Sequence, residues 1–396
     1  MIGAGPAGTA AAITLASRGI DLVLVDQADF PRDKTCGDAL IPDALAALGR
    51  LGVLPAVRAR AAPTERIQVF APDGSDLMLD GRVMCLPRVS LDEMMLDRAR
   101  RAGARWMAPL RLTSLIDEAG QVRGARLAGE NGAIDVRARF TLLATGAAVG
   151  PLEMAGLCLR RLASGFAMRQ YVRNPRLAQR FKTLVISYDQ RIRPGYGWIF
   201  PGPDGHFNVG AGVFIDGHSG ERSENVRGVF ERFVAGFPLA RELFASGQVV
   251  GPLKGAPLRT ALNGSHFGRP GVLAIGEAIG ATYSFSGEGI GKALETGVLA
   301  AELVADRLND SGQVHGLEAD YERRLERTYR YRFRAYETAQ RWLGVPAFCN
   351  LLARRARGSE RLRSRLQDVI EESSDPRELC SMAGLLKLFA PWGYRG

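Results

Sequence analysis

Three glycines at the start of the chain, Gly3-x-Gly5-x-x-Gly8, restrict the fold more than any other feature. At this spacing the backbone turns tightly from a strand into a helix, and its N–H groups approach a pyrophosphate at the helix N-terminus. Small and apolar residues continue through Ser17 as that helix, and Asp21–Asp26 (DLVLVD) reads as a short buried strand. Asp26, at its end, stands where an adenosine ribose would be hydrogen-bonded. Only Met1 and Ile2 precede Gly3, so the first strand is almost missing, and a start codon assigned too far downstream is the expected reason.

A second glycine-rich turn decides which dinucleotide is expected. Val272–Ile275 reads as a strand, Gly276-Glu277-Ala278 follows it, and Ser286-Gly287-Glu288-Gly289-Ile290-Gly291 opens a strong helix over Ile290–Leu308. An NAD site does not need this second turn. FAD does, because its ribityl chain and isoalloxazine extend beyond the pyrophosphate toward a second acidic turn and helix start. There is no second Gly-x-Gly-x-x-Gly in strand-turn-helix context, so reducing equivalents are expected from a transiently docked NAD(P)H or from a reduced electron-transfer protein.

The two turns resemble the flavin motifs of the group that includes p-hydroxybenzoate-hydroxylase-type monooxygenases, flavin halogenases and geranylgeranyl reductases. Glu277 replaces that group's usual Asp, and Ser284 stands where it usually carries Pro. Three further segments resemble the geranylgeranyl reductase family in particular: Phe30-Pro-Arg32-Asp-Lys-Thr-Cys36-Gly37-Asp38, Arg88-Val-Ser-Leu91-Asp92, and Tyr196-Gly-Trp198-Ile-Phe200-Pro201 followed by Gly210-Ala-Gly212. The similarity spans Gly3 to Leu308. It implies a cofactor site of Gly3, Gly5, Ala7, Gly8, Asp26, Arg32, Cys36, Gly37, Arg88, Glu277, Gly287, Gly289 and Ile290. It also implies a substrate wall of Tyr196, Trp198, Phe200 and Pro201, the three aromatics sharing one strand face by the period of two. Cys36 and Tyr196 are the acid candidates, and Cys36, between Arg32 and Lys34, is expected to tend toward thiolate against the opposing Asp38. The Asp-Gly pair of the aromatic hydroxylases is replaced by Ala144-Thr145-Gly146, and the halogenase Trp-x-Trp-x-Ile-Pro signature is absent.

The fold expected is α/β with an α+β insert: a Rossmann-like FAD-binding domain (1–68, 88–160 and 252–310), an interleaved antiparallel-sheet substrate domain (69–87 and 161–251) and a helical C-terminal region (311–396). With 396 residues and 46% hydrophobic content the chain has ample core for this. The function implied is reduction of carbon–carbon double bonds in an isoprenoid or similar hydrophobic substrate, with a phosphorylated headgroup as an option. The alternatives are a flavin monooxygenase of an aromatic or polyketide-like metabolite and a degenerate, non-catalytic flavin-fold protein.

The net charge of +10 favours anionic partners without choosing among them. No nucleic-acid fold accompanies Tyr329-Arg-Tyr-Arg-Phe-Arg-Ala-Tyr336, so its arginines are expected on a solvated helical face, with weak peripheral contact to anionic lipid aided by Leu385–Pro391. Five scattered cysteines (Cys36, Cys85, Cys158, Cys349, Cys380) read as reduced cytoplasmic thiols, and His206, His218, His266 and His315 stand too far apart for a metal. No signal peptide or membrane-spanning run is visible.

Overall fold

The computed structural model describes residues 1–193, 195–215, 225–310, 316–379, 381 and 384. Leu385–Pro391, Cys380, His218 and His315 therefore lie outside the described residues.

Ile2 takes the central place in the nucleotide-binding sheet although it contributes only one residue of pairing. It bridges Val25 on one side and Leu143 on the other, both parallel. Every backbone polar group of this stub is used: Ile2 N–H donates to Leu142 O at 2.9 Å, Gly3 N–H to Val25 O at 2.7 Å, and Ala144 N–H to Ile2 O at 2.7 Å. Around it Arg105–Met107 pairs parallel with Val23–Val25, and Thr141–Leu143 with Val272–Ala274. Helix Pro6–Ser17, nearly all of it small buried residues, packs directly against helix Ile290–Asp310. An antiparallel meander, Arg111–Glu118, Gln121–Gly129 and Gly132–Arg137, flanks this domain.

The second body is an eight-stranded sheet in the order Gln248–Leu258, Gly165–Arg173, His206–Phe214, Tyr196–Pro201, Leu184–Ser187, Ala62–Phe70, Asp76–Cys85 and Ala39–Leu40. All neighbours are antiparallel except Leu184–Ser187, which runs parallel to Ala62–Phe70. The expected domain edges at 68/69 and 251/252 fall inside two of these strands, because short apolar runs do not announce which sheet they join. Val226–Gly236 and Pro238–Ser246 cover one face of the sheet.

The other face is roofed by the C-terminal helices, whose long first helix has the solvated side expected for its arginines and a second side that is core. Helix Leu317–Leu343 buries Leu317, Tyr321, Leu325, Tyr329, Phe333 and Tyr336, a stripe with steps of three and four residues. Its exposed arginines, Arg323, Arg324, Arg327 and Arg334, occupy the opposite side. The aromatics of the Arg/Tyr run are thus core. Among the described residues no helix is long and apolar enough to cross a membrane, and no group of three His, Cys, Asp or Glu side chains is placed to hold a metal ion.

Candidate active site

The first glycine turn is shaped by contact with its own strand and the next. Gly3 has φ +98°, and a Cβ there would lie 2.3 Å from Ala144 O; a Cβ on Gly8 would lie 1.9 Å from Gly3 O. The turn is fixed from below by Asp26, whose Oδ2 accepts the Ala4 N–H at 2.8 Å and whose Oδ1 accepts that of Ala28 at 3.0 Å. Asp26 thus orients the loop as well as standing at the expected ribose position. Two guanidinium groups face Gly5: an added Cβ there would sit 3.7 Å from Arg88 and 3.8 Å from Arg32. Both are held by one fully buried carboxylate. Asp92 accepts Arg88 Nε at 2.7 Å, Arg88 Nη2 at 2.8 Å and Arg32 Nη1 at 3.1 Å. Asp92 was visible in sequence only as the last residue of a helix-start motif; its four-residue spacing from Arg88 was the usable signal.

The loop after Arg32 carries Cys36 into the cavity wall. Its thiol is pushed up by burial and then by the charge of Asp38. This corrects the expected thiolate, since desolvation outweighs the cations beside it in sequence. Asp38 is the hub of a network that sequence reading missed. It holds a left-handed backbone (φ 68°) and accepts hydrogen bonds from Tyr171 Oη at 2.5 Å, Asn208 Nδ2 at 2.7 Å and Arg88 N–H at 3.2 Å. Burial still pushes its carboxyl up to about 6. Asn208 also donates to Cys36 O at 2.8 Å and accepts the Trp198 indole N–H at 3.0 Å, tying the Cys36 loop to the large sheet.

The second glycine turn closes the opposite end of the same cavity. Tyr196 donates its hydroxyl to Ser286 O at 2.8 Å, directly at the turn. Burial raises the Tyr196 phenol far above its ordinary value, so both expected acids hold their protons tightly. Glu277 reaches the cavity between the turns; its Oε1 accepts the Arg259 N–H at 3.4 Å, and burial raises its pKa.

One cavity of about 730 Å³ is lined by Gly3, Gly5, Ala7, Asp26, Arg32, Cys36, Gly37, Arg88, Glu277, Gly287, Gly289 and Ile290, and also by Tyr196, Trp198 and Phe200. Gly8 and Pro201 do not line it. Gly8 is spent on packing against Gly3, and Pro201 lies one residue out of phase with the aromatics, so the strand's alternation turns it to the other face. The three aromatics do form a continuous wall, with ring centroids 6.0 Å apart for Tyr196 and Trp198 and 6.2 Å for Trp198 and Phe200. Beyond them the cavity continues as an apolar branch. Ile67, Leu79 and Ile186 of the sheet form its floor, and Trp342, Leu352 and Ile370 of the C-terminal helices its roof.

A family model described as "FAD binding domain" matches residues 1–150. A menaquinone reductase from Mycolicibacterium smegmatis is 32% identical over 319 residues, covering 77% of this chain and 75% of the relative. A digeranylgeranylglycerophospholipid reductase from Methanopyrus kandleri is 30% identical over 346 residues, covering 84% and 87%. The chain belongs to the geranylgeranyl reductase family of FAD-dependent oxidoreductases. A solved structure of a geranylgeranyl bacteriochlorophyll reductase-like protein from Thermoplasma acidophilum shares the fold, with TM-score 0.80, 20% identity and coverage of 96% and 97%.

The geometry fits the cofactor of this family of reductases. A single groove joins both helix starts, buried Arg88 and half-buried Arg32 face the glycine turn where a diphosphate would need positive charge, and the buried Thr145 Oγ1 in its wall has no hydrogen-bond partner. FAD, when bound, would supply hydride chemistry. Arg32, Arg88 and Asp26 are the residues that would hold it, and the aromatic wall is the surface along which an apolar substrate would lie.

Proposed function

We propose that this protein reduces carbon–carbon double bonds of an isoprenoid chain, carried on a quinone or a similar hydrophobic molecule. The observation that carries this reading is the apolar branch: a sheet face and three C-terminal helices enclose it, and it opens into the cavity between the two glycine turns. An extended hydrocarbon suits such a wall, whereas a compact polar aromatic would leave most of it unfilled. Cys36, Tyr196, Trp198 and Phe200 line the junction, so the alkene nearest the flavin would lie against them. The reductant is NAD(P)H or a reduced electron-transfer protein docking transiently, and the substrate reaches the cavity from a membrane surface touched weakly and reversibly.

The test is anaerobic turnover. The FAD-loaded protein, reduced with dithionite, is mixed with a prenylated quinone already reduced to its quinol, and the product is weighed by mass spectrometry. A gain of two hydrogens per reduced bond without oxygen is expected. Turnover that stops without oxygen and yields a hydroxylated product would instead favour the monooxygenase reading, and a protein that never takes up flavin the non-catalytic one.

A further inference from the structure

Behind the second glycine turn lies a cluster of charges that cofactor binding does not use. Lys292, 2% exposed, reaches Glu372 Oε2 at 2.7 Å, Glu295 Oε2 at 2.8 Å and Asp43 Oδ2 at 3.2 Å. Glu288, in the turn itself, accepts the Gly291 N–H at 2.7 Å. Four carboxyl groups thus gather around one lysine, with Arg332 a second cation 4.0 Å from Glu372. So many negative charges in a medium of low polarity cannot all persist beside so little positive charge, and the cluster must hold protons. Burial, reinforced by neighbouring carboxylates, raises Glu288 well above the ordinary range and pushes Asp43 up to about 7.

Two of these acids face the cavity. Glu288 and Glu372 both line it, and Glu372 Oε1, on a side chain only 8% exposed, has no hydrogen-bond partner. Asp43 stands behind them, a Cβ on Gly291 falling 2.2 Å from its Oδ2.

We propose that this cluster is the proton store of the reduction, that Glu288 protonates the substrate, and that Asp43 and Glu372 are positioning residues that keep a proton on it. The proposal rests on the alkene-reductase reading. Saturating a double bond takes one hydride and one proton. The hydride equivalent comes from the reduced flavin and forms the first C–H bond. The electron pair of the broken π bond forms the second with the proton that leaves the Glu288 carboxyl. The carboxylate left behind regains a proton from water through the cluster. Cys36 and Tyr196 are poorer donors: the thiol and the phenol are both raised by burial, and the Tyr196 hydroxyl is already given to Ser286.

The charged and titratable groups around Glu288 are Asp43 of helix Pro42–Arg50, Lys292 and Glu295 of its own helix, Glu372, Tyr196 of the sheet, Tyr283, and Tyr329 and Arg332 of helix Leu317–Leu343. Because Asp43 raises Glu288, removing it must lower the pH at which Glu288 loses its proton.

The experiment is anaerobic single-turnover reoxidation of the reduced protein by a prenylated quinol, whose ring can accept no further electrons, as a function of pH. Glu288→Gln keeps an oxygen for the Gly291 N–H. It is expected to bind FAD within about threefold of the parent yet slow reoxidation roughly 100-fold or more. Asp43→Asn should turn over at low pH but lose rate at a lower pH than the parent. An independent readout uses the FAD-free protein: the infrared carbonyl band of protonated carboxylic acid at pH 7 should weaken in Glu288→Gln. Parent-like reoxidation in Glu288→Gln, or an unmoved pH limb in Asp43→Asn, overturns the proposal while leaving the reductase reading intact. A parent that leaves the alkene untouched overturns both.

Discussion

The two glycine turns that share the cavity are built for opposite charges. Around Gly3–Gly8 Asp26 fixes the loop from below, and the side chains that face the turn from the cavity are Arg32 and Arg88, locked together by Asp92. Around Gly287–Ile290 the cavity-lining ionic groups are the carboxyls Glu288 and Glu372, with Lys292 tied up beside them. The difference follows from what each end must do. A diphosphate carries charge permanently and needs cations held rigidly in place, whereas the reacting end must pass a proton and gains from acids that burial keeps protonated. Position relative to the helix starts is the same, so it is the surrounding side chains that divide the labour.

The largest effect is expected at the first turn. Gly8→Val puts a side chain onto the Gly3 carbonyl, 1.9 Å from where its Cβ must lie. Neither strand nor helix can withdraw, so soluble protein should carry no flavin, with a stability loss on the order of 3 kcal/mol or more. Purification as a yellow protein with ordinary melting would show that this turn is more plastic than its packing implies.

Next is Asp92→Leu, which leaves Arg88 buried without its carboxylate. Removing one partner of such a pair costs about 3–5 kcal/mol, and the freed guanidinium groups lose their aim at Gly5. FAD titration by fluorescence should give at least tenfold weaker binding, and Asp92→Asn, which keeps the shape and one acceptor, should recover part of it. An unchanged dissociation constant would mean that the cationic end does not depend on this clamp.

At the acidic end the sign reverses. The Asp43 carboxyl moves from its ordinary 3.8 up to about 7 on folding, so the folded state binds the extra proton. Its stabilising contribution is complete below the unfolded value and is lost as pH rises from about 4 toward 7. Asp43→Asn mimics the protonated form at every pH. The variant should melt like the parent at pH 4 and higher than it at pH 8, by on the order of 2 kcal/mol. Equal melting curves across that range would place the proton elsewhere in the cluster.

How much of this contrast could be read from sequence differs between the ends for a physical reason. The first turn is local: glycine spacing, the strand that follows and Asp26 lie within one βαβ unit, and Arg88 with Asp92 within one helical turn. The second turn is legible as glycine spacing, but its acids come from Asp43, Glu288 and Glu372, which only tertiary packing brings together. The C-terminal roof was misjudged because the arginines between Tyr329, Tyr331, Phe333 and Tyr336 drew the reading to charge. The three-and-four spacing of Tyr321, Leu325, Tyr329, Phe333 and Tyr336 was the better guide to burial. Cys36 erred in the same direction: cations adjacent in sequence were weighed, and burial, which sequence does not display, decided the thiol.

The smallest effect tests the hinge between the two ends, where Asp38 binds the Cys36 loop to the sheet. Tyr171 donates to Asp38 Oδ2 at 2.5 Å and is among the groups that hold its pKa down against burial. Tyr171→Phe removes that donor with little change of shape, for a cost of about 1 kcal/mol. The cost should depend on pH, because a hydrogen bond to an ionised carboxylate is worth more than one to its neutral form. With the parent's Asp38 titrating at about 6, the loss in melting temperature should be larger at pH 8 than at pH 5. A loss equal at both values would mean that the Tyr171 ring, stacked under Arg169 at 4.1 Å, contributes only packing and that the hydroxyl is incidental to the loop.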